Sequence, residues 1–280
     1  MNRGRVASIV GGVAVAVALV GASAASAATL IGDYQFQGTL ASSGTGPALT
    51  HVGSGTSEFQ NDNVMGSSRQ VLAFALASGV QISPAGVGTG SYSVVTTFRF
   101  DDVASYERIL DQTIGTEDSG LYVDGDPTAP GHAYLFYDRS TPFMVWTSET
   151  DVFANNVYAT TAVVVTPPSQ TKVYVNGTLQ FTPTDGRTPI NDTLRLFKDD
   201  GTEESAGAVS CIRLYSGGLS PAEVAGIGAS PTCGTVASST PTPTGTPVKK
   251  KKCKKHKKKH KRSADSAKKK KKCKKSKKKR

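Results

Sequence analysis

Apolar and polar residues alternate through much of the middle of the chain. Tyr92, Val94, Phe98 and Phe100 share one side of a two-residue period, with Ser91, Thr97 and Arg99 between them, the pattern of a half-buried strand. Strands of this kind are expected at 71–74, 108–110, 121–123, 133–137, 143–146, 157–165, 172–175, 179–181, 194–197 and 210–215. Clusters of Gly, Pro, Asp and Ser separate them at the spacing of an all-β sandwich or barrel. Asn176-Gly177, between Val173-Tyr174-Val175 and Leu179-Gln180-Phe181, predicts a tight hairpin, since both residues tolerate positive φ. One helix is expected after Ser220. Ser220 caps it, Pro221 suits its first position, Glu223 completes a capping box, and the helix ends near Gly226.

The two ends of the chain have other textures. Arg3 and Arg5 precede an uncharged run over 9–20 and the small residues Ala25-Ser26-Ala27, the layout of a secretory signal over 1–27 cleaved before Ala28. No later segment approaches the roughly 18 apolar residues of a membrane span, so the mature protein is expected to be secreted and not transmembrane. A single domain over 28–233 follows, then a Ser/Thr/Pro-rich linker over 234–248 and a Lys-rich tail over 249–280.

Charge divides along the same boundaries. The net +11 conceals a tail with 22 Lys and Arg against one acid, Asp265, for +21. The segment 28–248 carries 9 basic and 21 acidic residues, for −12. Charges at the tail's density repel one another, so disorder is expected there unless a polyanion neutralises them. The expected partner is an anionic cell-envelope polymer. Nucleic acid would satisfy the same physics, but export removes it from reach. Retention at the cell surface or cell wall follows.

Export also bears on the four cysteines, because oxidising compartments pair them. Cys211 and Cys233 are expected to pair, closing a loop worth about 3 kcal/mol in the chain-entropy model. Cys253 and Cys273 pair with each other or cross-link chains. With His256 and His260 they imitate a zinc motif, but the surrounding positive charge opposes a dication.

Tyr34-Gln35-Phe36 with Gly38-Thr39-Leu40 and Ser42-Ser43-Gly44, the Val175-Asn176-Gly177 hairpin, and Ile212-Arg213-Leu214-Tyr215 with Leu219-Ser220-Pro221-Ala222-Glu223-Val224 resemble the laminin-G-like, concanavalin A-like domains of bacterial exported proteins. The resemblance implies a jelly-roll sandwich of two antiparallel sheets with about a dozen strands. It also implies binding of sugars or proteins, often through calcium at the rim of the sandwich. Some relatives are glycosidases or polysaccharide lyases, and fold alone does not choose among these.

Retaining glucanases of this fold use Glu-x-Asp-x-x-Glu, and the nearest match, Glu149-Thr150-Asp151, has Ala154 where the second Glu belongs. His51 and His132 have no G-x-S-x-G element beside them, so no catalytic residue is assigned and no enzyme is expected. Calcium is expected first at Asp199, Asp200, Glu203 and Glu204, with Glu117, Asp118, Asp124 and Asp126 as a second acidic region. Trp146 and Tyr122 are the candidates for stacking on a sugar ring, against core packing as the alternative. The reading is a lectin-like or adhesion module that binds a polysaccharide or surface glycan. A structural wall protein cross-linked through tail cysteines, or a carbohydrate-active enzyme, stays open.

Overall fold

The computed structural model describes residues 28–114, 118–137, 144–168, 170–199, 201 and 203–235. The expected signal, most of the linker and the tail lie outside these residues. Among the described residues, fifteen strands form two antiparallel sheets, accompanied by one α-helix and one short 3-10 helix at Ile190–Asp192, and no helix is long and apolar enough to cross a membrane.

The strands are β1 (Thr29–Tyr34), β2 (Thr50–Gly53), β3 (Ser57–Val64), β4 (Ser67–Phe74), β5 (Ser78–Ile82), β6 (Tyr92–Phe100), β7 (Glu107–Asp111), β8 (Ser119–Val123), β9 (Ala133–Tyr137), β10 (Met144–Thr147), β11 (Ala159–Thr166), β12 (Gln170–Val175), β13 (Thr178–Phe181), β14 (Leu194–Leu196) and β15 (Gly207–Ser216). The first sheet runs β13-β12-β11-β6-β15-β4-β3, with β1 also paired to β15, and the second runs β10-β9-β8-β7-β14-β5-β2. Fifteen strands exceed the expected dozen because β1, β2, β3 and β5 escape the alternation. β3 reads Ser-Glu-Phe-Gln-Asn-Asp-Asn-Val, with few apolar residues to alternate. It is an edge strand, and an edge exposes more of itself to water.

The core lies between the sheets. Phe74 and Phe197 stack with centroids 4.7 Å apart, and Phe98 and Phe100, 5.1 Å from each other, pack around them at 5.3 to 6.2 Å. Each such ring, fully buried, contributes roughly 1.5–3 kcal/mol. The β12–β13 hairpin turns at Asn176 and Gly177, with φ of 50° and 80°, the all-positive combination that the Asn-Gly pair favours.

The outer face of the first sheet is covered by α1 (Pro221–Ile227), one residue longer than the sequence pattern gives. Ser220 accepts from the Glu223 N–H while the Glu223 carboxylate accepts from the Ser220 N–H, so the capping box is complete. Leu219, Val224 and Ile227 pack on Val95, Val164 and Tyr215. Cys211 and Cys233 are bonded, which fastens the end of the described chain to β15.

Candidate functional site

The outer face of the second sheet arises from the same alternation that fills the core. Leu121, Val123, Leu135 and Tyr137 join the inner core, so Tyr122, Tyr134 and Phe136 stand on the opposite face. Register sets Arg108, Tyr122 and Tyr134 side by side across β7, β8 and β9. An irregularity between Arg108 and Leu110 lets Ile109 and Leu110 both enter the core. Gly120 provides the room for Arg108: a Cβ there would fall 2.1 Å from the Leu110 carbonyl oxygen and 2.6 Å from Nη1 of Arg108. The guanidinium, only 2% exposed, lies over the Tyr122 ring at 4.0 Å from its centroid, a cation–π contact. Gly125 makes similar room for Tyr106, whose ring carbon would lie 2.6 Å from an added Cβ.

Arg108 gathers carboxylates from distant loops. Its Nε donates to Asp199 Oδ2 at 2.8 Å, and Nη2 lies 2.6 Å from the same oxygen. Nη2 also donates to Asp118, which accepts from the Tyr122 hydroxyl as well, and Nη1 lies 3.9 Å from Asp111. Asp118, Asp199 and Glu203 each bring one oxygen within 4.8 Å of the others. Three carboxylates therefore crowd around one guanidinium. Burial pushes the Glu203 carboxyl up to about 7, and repulsion from Asp118 and Asp199 adds to the shift, while Arg108 opposes it. Glu107, at the start of β7, is pushed up to about 8 by burial, aided by Asp102, Glu204 and Glu203. Its Oε2 is buried with no hydrogen-bond partner.

Tyr106, Asp118, Tyr122, Tyr134, Phe136 and Glu203 line a cleft of about 280 Å³. Tyr106 and Tyr134 have centroids 5.2 Å apart at 59°, and Phe136 lies nearly parallel to Tyr134 at 6.2 Å. These three rings are half-buried, so each keeps surface open to solvent. Tyr122 is 1% exposed and forms the floor. Aromatic walls with a few convergent polar groups are the general make-up of a small-ligand site.

Residues 75–225 match the sequence model described as the concanavalin A-like lectin/glucanases superfamily. The chain belongs to this superfamily. Among solved structures it resembles domain 4 of AbnA, a GH43 extracellular arabinanase from Geobacillus stearothermophilus in complex with arabinotriose, at 20% identity and a TM-score of 0.56, covering 71% of this chain and 97% of that one. It also resembles botulinum neurotoxin type C, whose cell entry depends on two ganglioside molecules, at 11% identity and 0.52, covering 70% of this chain and 50% of that one. The binding domain of Paraclostridial Mosquitocidal Protein 1 matches at 12% and 0.51, covering 70% and 51%. This chain thus spans nearly all of the arabinanase domain and about half of each toxin structure. At these identities the likeness shows the fold, a concanavalin A-like jelly roll. No curated protein matches the sequence.

Within this concanavalin A-like frame the two acidic regions of the sequence meet. Asp199 and Glu203 come from one and Asp118 from the other, while Asp200 and Glu117 lie outside the described residues. Glu204 turns inward, where Oε1 accepts from Lys198 and from the Asp199 N–H. Asp124 and Asp126 accept from the N–H groups of Asp126 and Thr128, and Asp124 also accepts from the Tyr106 hydroxyl at the edge of the cleft. Calcium takes oxygen ligands, and Asp118, Asp199 and Glu203 fit it in kind. Arg108 already bonds two of the three, so a metal there competes with a guanidinium.

Tyr122 belongs to the cleft. Trp146, on β10, is half-buried against the inner core with its ring edge-on to Tyr137 at 5.8 Å. His132 Nε2 lies 2.9 Å from Asp151, and His51 pairs with the Ser78 hydroxyl at 3.0 Å. The sequence pattern missed Arg108, Tyr106, Tyr134 and Phe136. One signal was available: Ala133-Tyr134-Leu135-Phe136-Tyr137 carries large apolar groups on both faces, so its outer face needs an occupant or a cover.

Proposed function

We propose that this chain is a secreted glycan-binding module, retained at the cell envelope by its Lys-rich tail, with the cleft on β7, β8 and β9 as its sugar site. The observation that supports it is the cleft itself: open rings of Tyr106, Tyr134 and Phe136 beside the carboxylates of Asp118 and Glu203. Aromatic faces cover the apolar side of a sugar ring while carboxylates accept from its hydroxyls. The cleft's volume suits a ring or chain end rather than a long segment. Asp118, Asp199 and Glu203 are the residues that would meet calcium, but Arg108 already bonds two of them, so the sugar rather than a metal is taken as the ligand of this cleft. A glycan array probed with the secreted full-length protein and with Tyr134→Ala tests the reading. Glycans bound by the parent and lost by the variant are expected; equal binding of the variant to every glycan places the site elsewhere.

A second reading has one observation in its favour. Asp118 and Glu203 share the cleft, and Glu203, held up to about 7, resembles the proton donor of a glycosidase pair. Release of sugar products from a glycan identified on the array is its test, and no release retires it.

A further inference from the structure

Charge balance in the cleft points to the class of sugar, an inference that rests on the cleft being a glycan site. Asp118, Asp199 and Glu203 share the single guanidinium of Arg108, with Asp111 a further 3.9 Å from Nη1. The segment 28–248 carries 9 basic and 21 acidic residues, so its own side chains do not offset the excess, and the chain's surplus of cation lies in the Lys-rich tail. Hydroxyl groups donate to such carboxylates but leave their charge in place. A cation would remove it.

The kind of cation follows from what surrounds the carboxylates. A metal ion needs several oxygens at once and no fixed cation in contact with them. Here one oxygen of Asp118 and one of Asp199 are already bonded by Arg108. An organic ammonium has weaker demands: three N–H donors, met by single carboxylate oxygens and by the face of a ring. Tyr106, Tyr134 and Phe136 present those faces to the same cleft that Asp118 and Glu203 line.

We infer that the cleft recognises a sugar bearing a free amino group, its ring against Tyr134 and its ammonium between Glu203 and Asp118. An N-acetylated sugar of the same ring has no charge to offer and carries a bulkier group at that position. The ligand class is an amino-sugar polymer whose amines are unsubstituted.

The test measures binding of a glucosamine tetramer, its fully N-acetylated counterpart and a lysine tetrapeptide by isothermal titration, at physiological salt and in near-neutral buffer, where the amines and Glu203 are both in part ionised. The full-length protein is compared with Glu203→Gln and Tyr134→Leu, each checked for a parental melting curve. The free amine is expected to bind about tenfold more tightly than the acetylated sugar, the worth of one charge-assisted bond. Glu203→Gln should erase most of that preference, and Tyr134→Leu should weaken both sugars. Acetylated sugar bound as well as the free amine, with both lost in Tyr134→Leu, overturns the amino-sugar assignment and leaves the glycan site standing. Lysine peptide bound as tightly as the glucosamine tetramer also overturns it, since the cleft would then select an ammonium without a sugar. Sugar binding indifferent to Tyr134→Leu overturns the assignment and the glycan site together.

Discussion

Glu107 is a carboxyl that the fold keeps from water and leaves half unpartnered. Its ordinary value is 4.5 and its folded value is about 8, burial being the main cause. Below 4.5 both folded and unfolded states hold the proton, and nothing is lost. As pH rises from there the unfolded chain ionises first, so this group's contribution to stability falls through the window up to about 8 and then levels. Glu107→Gln should therefore stabilise the protein above that window by about 1–2 kcal/mol, read as a raised melting temperature, and leave stability nearly unchanged at acidic pH. Thermal unfolding of both proteins across a pH series checks this. Asp33 and Asp62 work in the other direction: burial opposes their ionisation, but bonds to Arg213 and Gln35, and to Tyr158 and Arg99, outweigh it. Their contribution is present above the ordinary Asp value of 3.8 and is lost as pH falls through the folded values.

Gly120 makes a second prediction at this scale. Alanine there would place its Cβ against the Leu110 carbonyl oxygen and the Arg108 guanidinium, and neither yields easily inside a sheet. Gly120→Ala should cost about 1–3 kcal/mol and displace Arg108 from Tyr122. Its signature would be weakened glycan binding together with a lower melting temperature, a pairing that Tyr134→Ala should not show.

At the scale of elements, α1 rests on its cap. Ser220→Ala removes the acceptor for the Glu223 N–H and should destabilise the protein by about 1 kcal/mol, read as a lowered denaturant midpoint. This cap was legible in the sequence, as were the hairpin turn and the alternating strands β6 and β11, because each is specified by residues a few positions apart. β2 and β5 were not legible: each is short, and β5 holds Gly79 where the Leu196 carbonyl oxygen approaches within 2.3 Å of where a Cβ would lie. The site was legible only in fragments. Asp118 and Asp199 appeared as members of two unconnected acidic regions, and nothing local says that β7 carries one arginine reaching both. The aromatic walls were hidden for the opposite reason. β9 lacks the polar positions that would have told its outer face from its inner one.

At the scale of the whole molecule the two charge blocks make a prediction of their own. A domain of −12 is repelled by an anionic envelope, and a tail of +21 is drawn to it. Cell-wall pull-down of the full-length protein should fall steeply as salt rises, as binding by counterion release does. Truncation after Pro247 should abolish retention at every salt. Equal retention of the truncated form would assign the anchoring to the sandwich.

The bond between Cys211 and Cys233 acquires another meaning if the chain end is pulled. Cys211 sits inside β15, which pairs with β6 on one side and with β1 and β4 on the other. Tension entering at Thr235 passes through the sulfurs directly into that central strand. The 22-residue interval between the cysteines, α1 included, is left out of the load path. In a single-molecule pulling experiment the oxidised protein should hold until the sandwich itself yields. After reduction an earlier, weaker event should appear as α1 peels from the first sheet, lengthening the chain by up to about 75 Å.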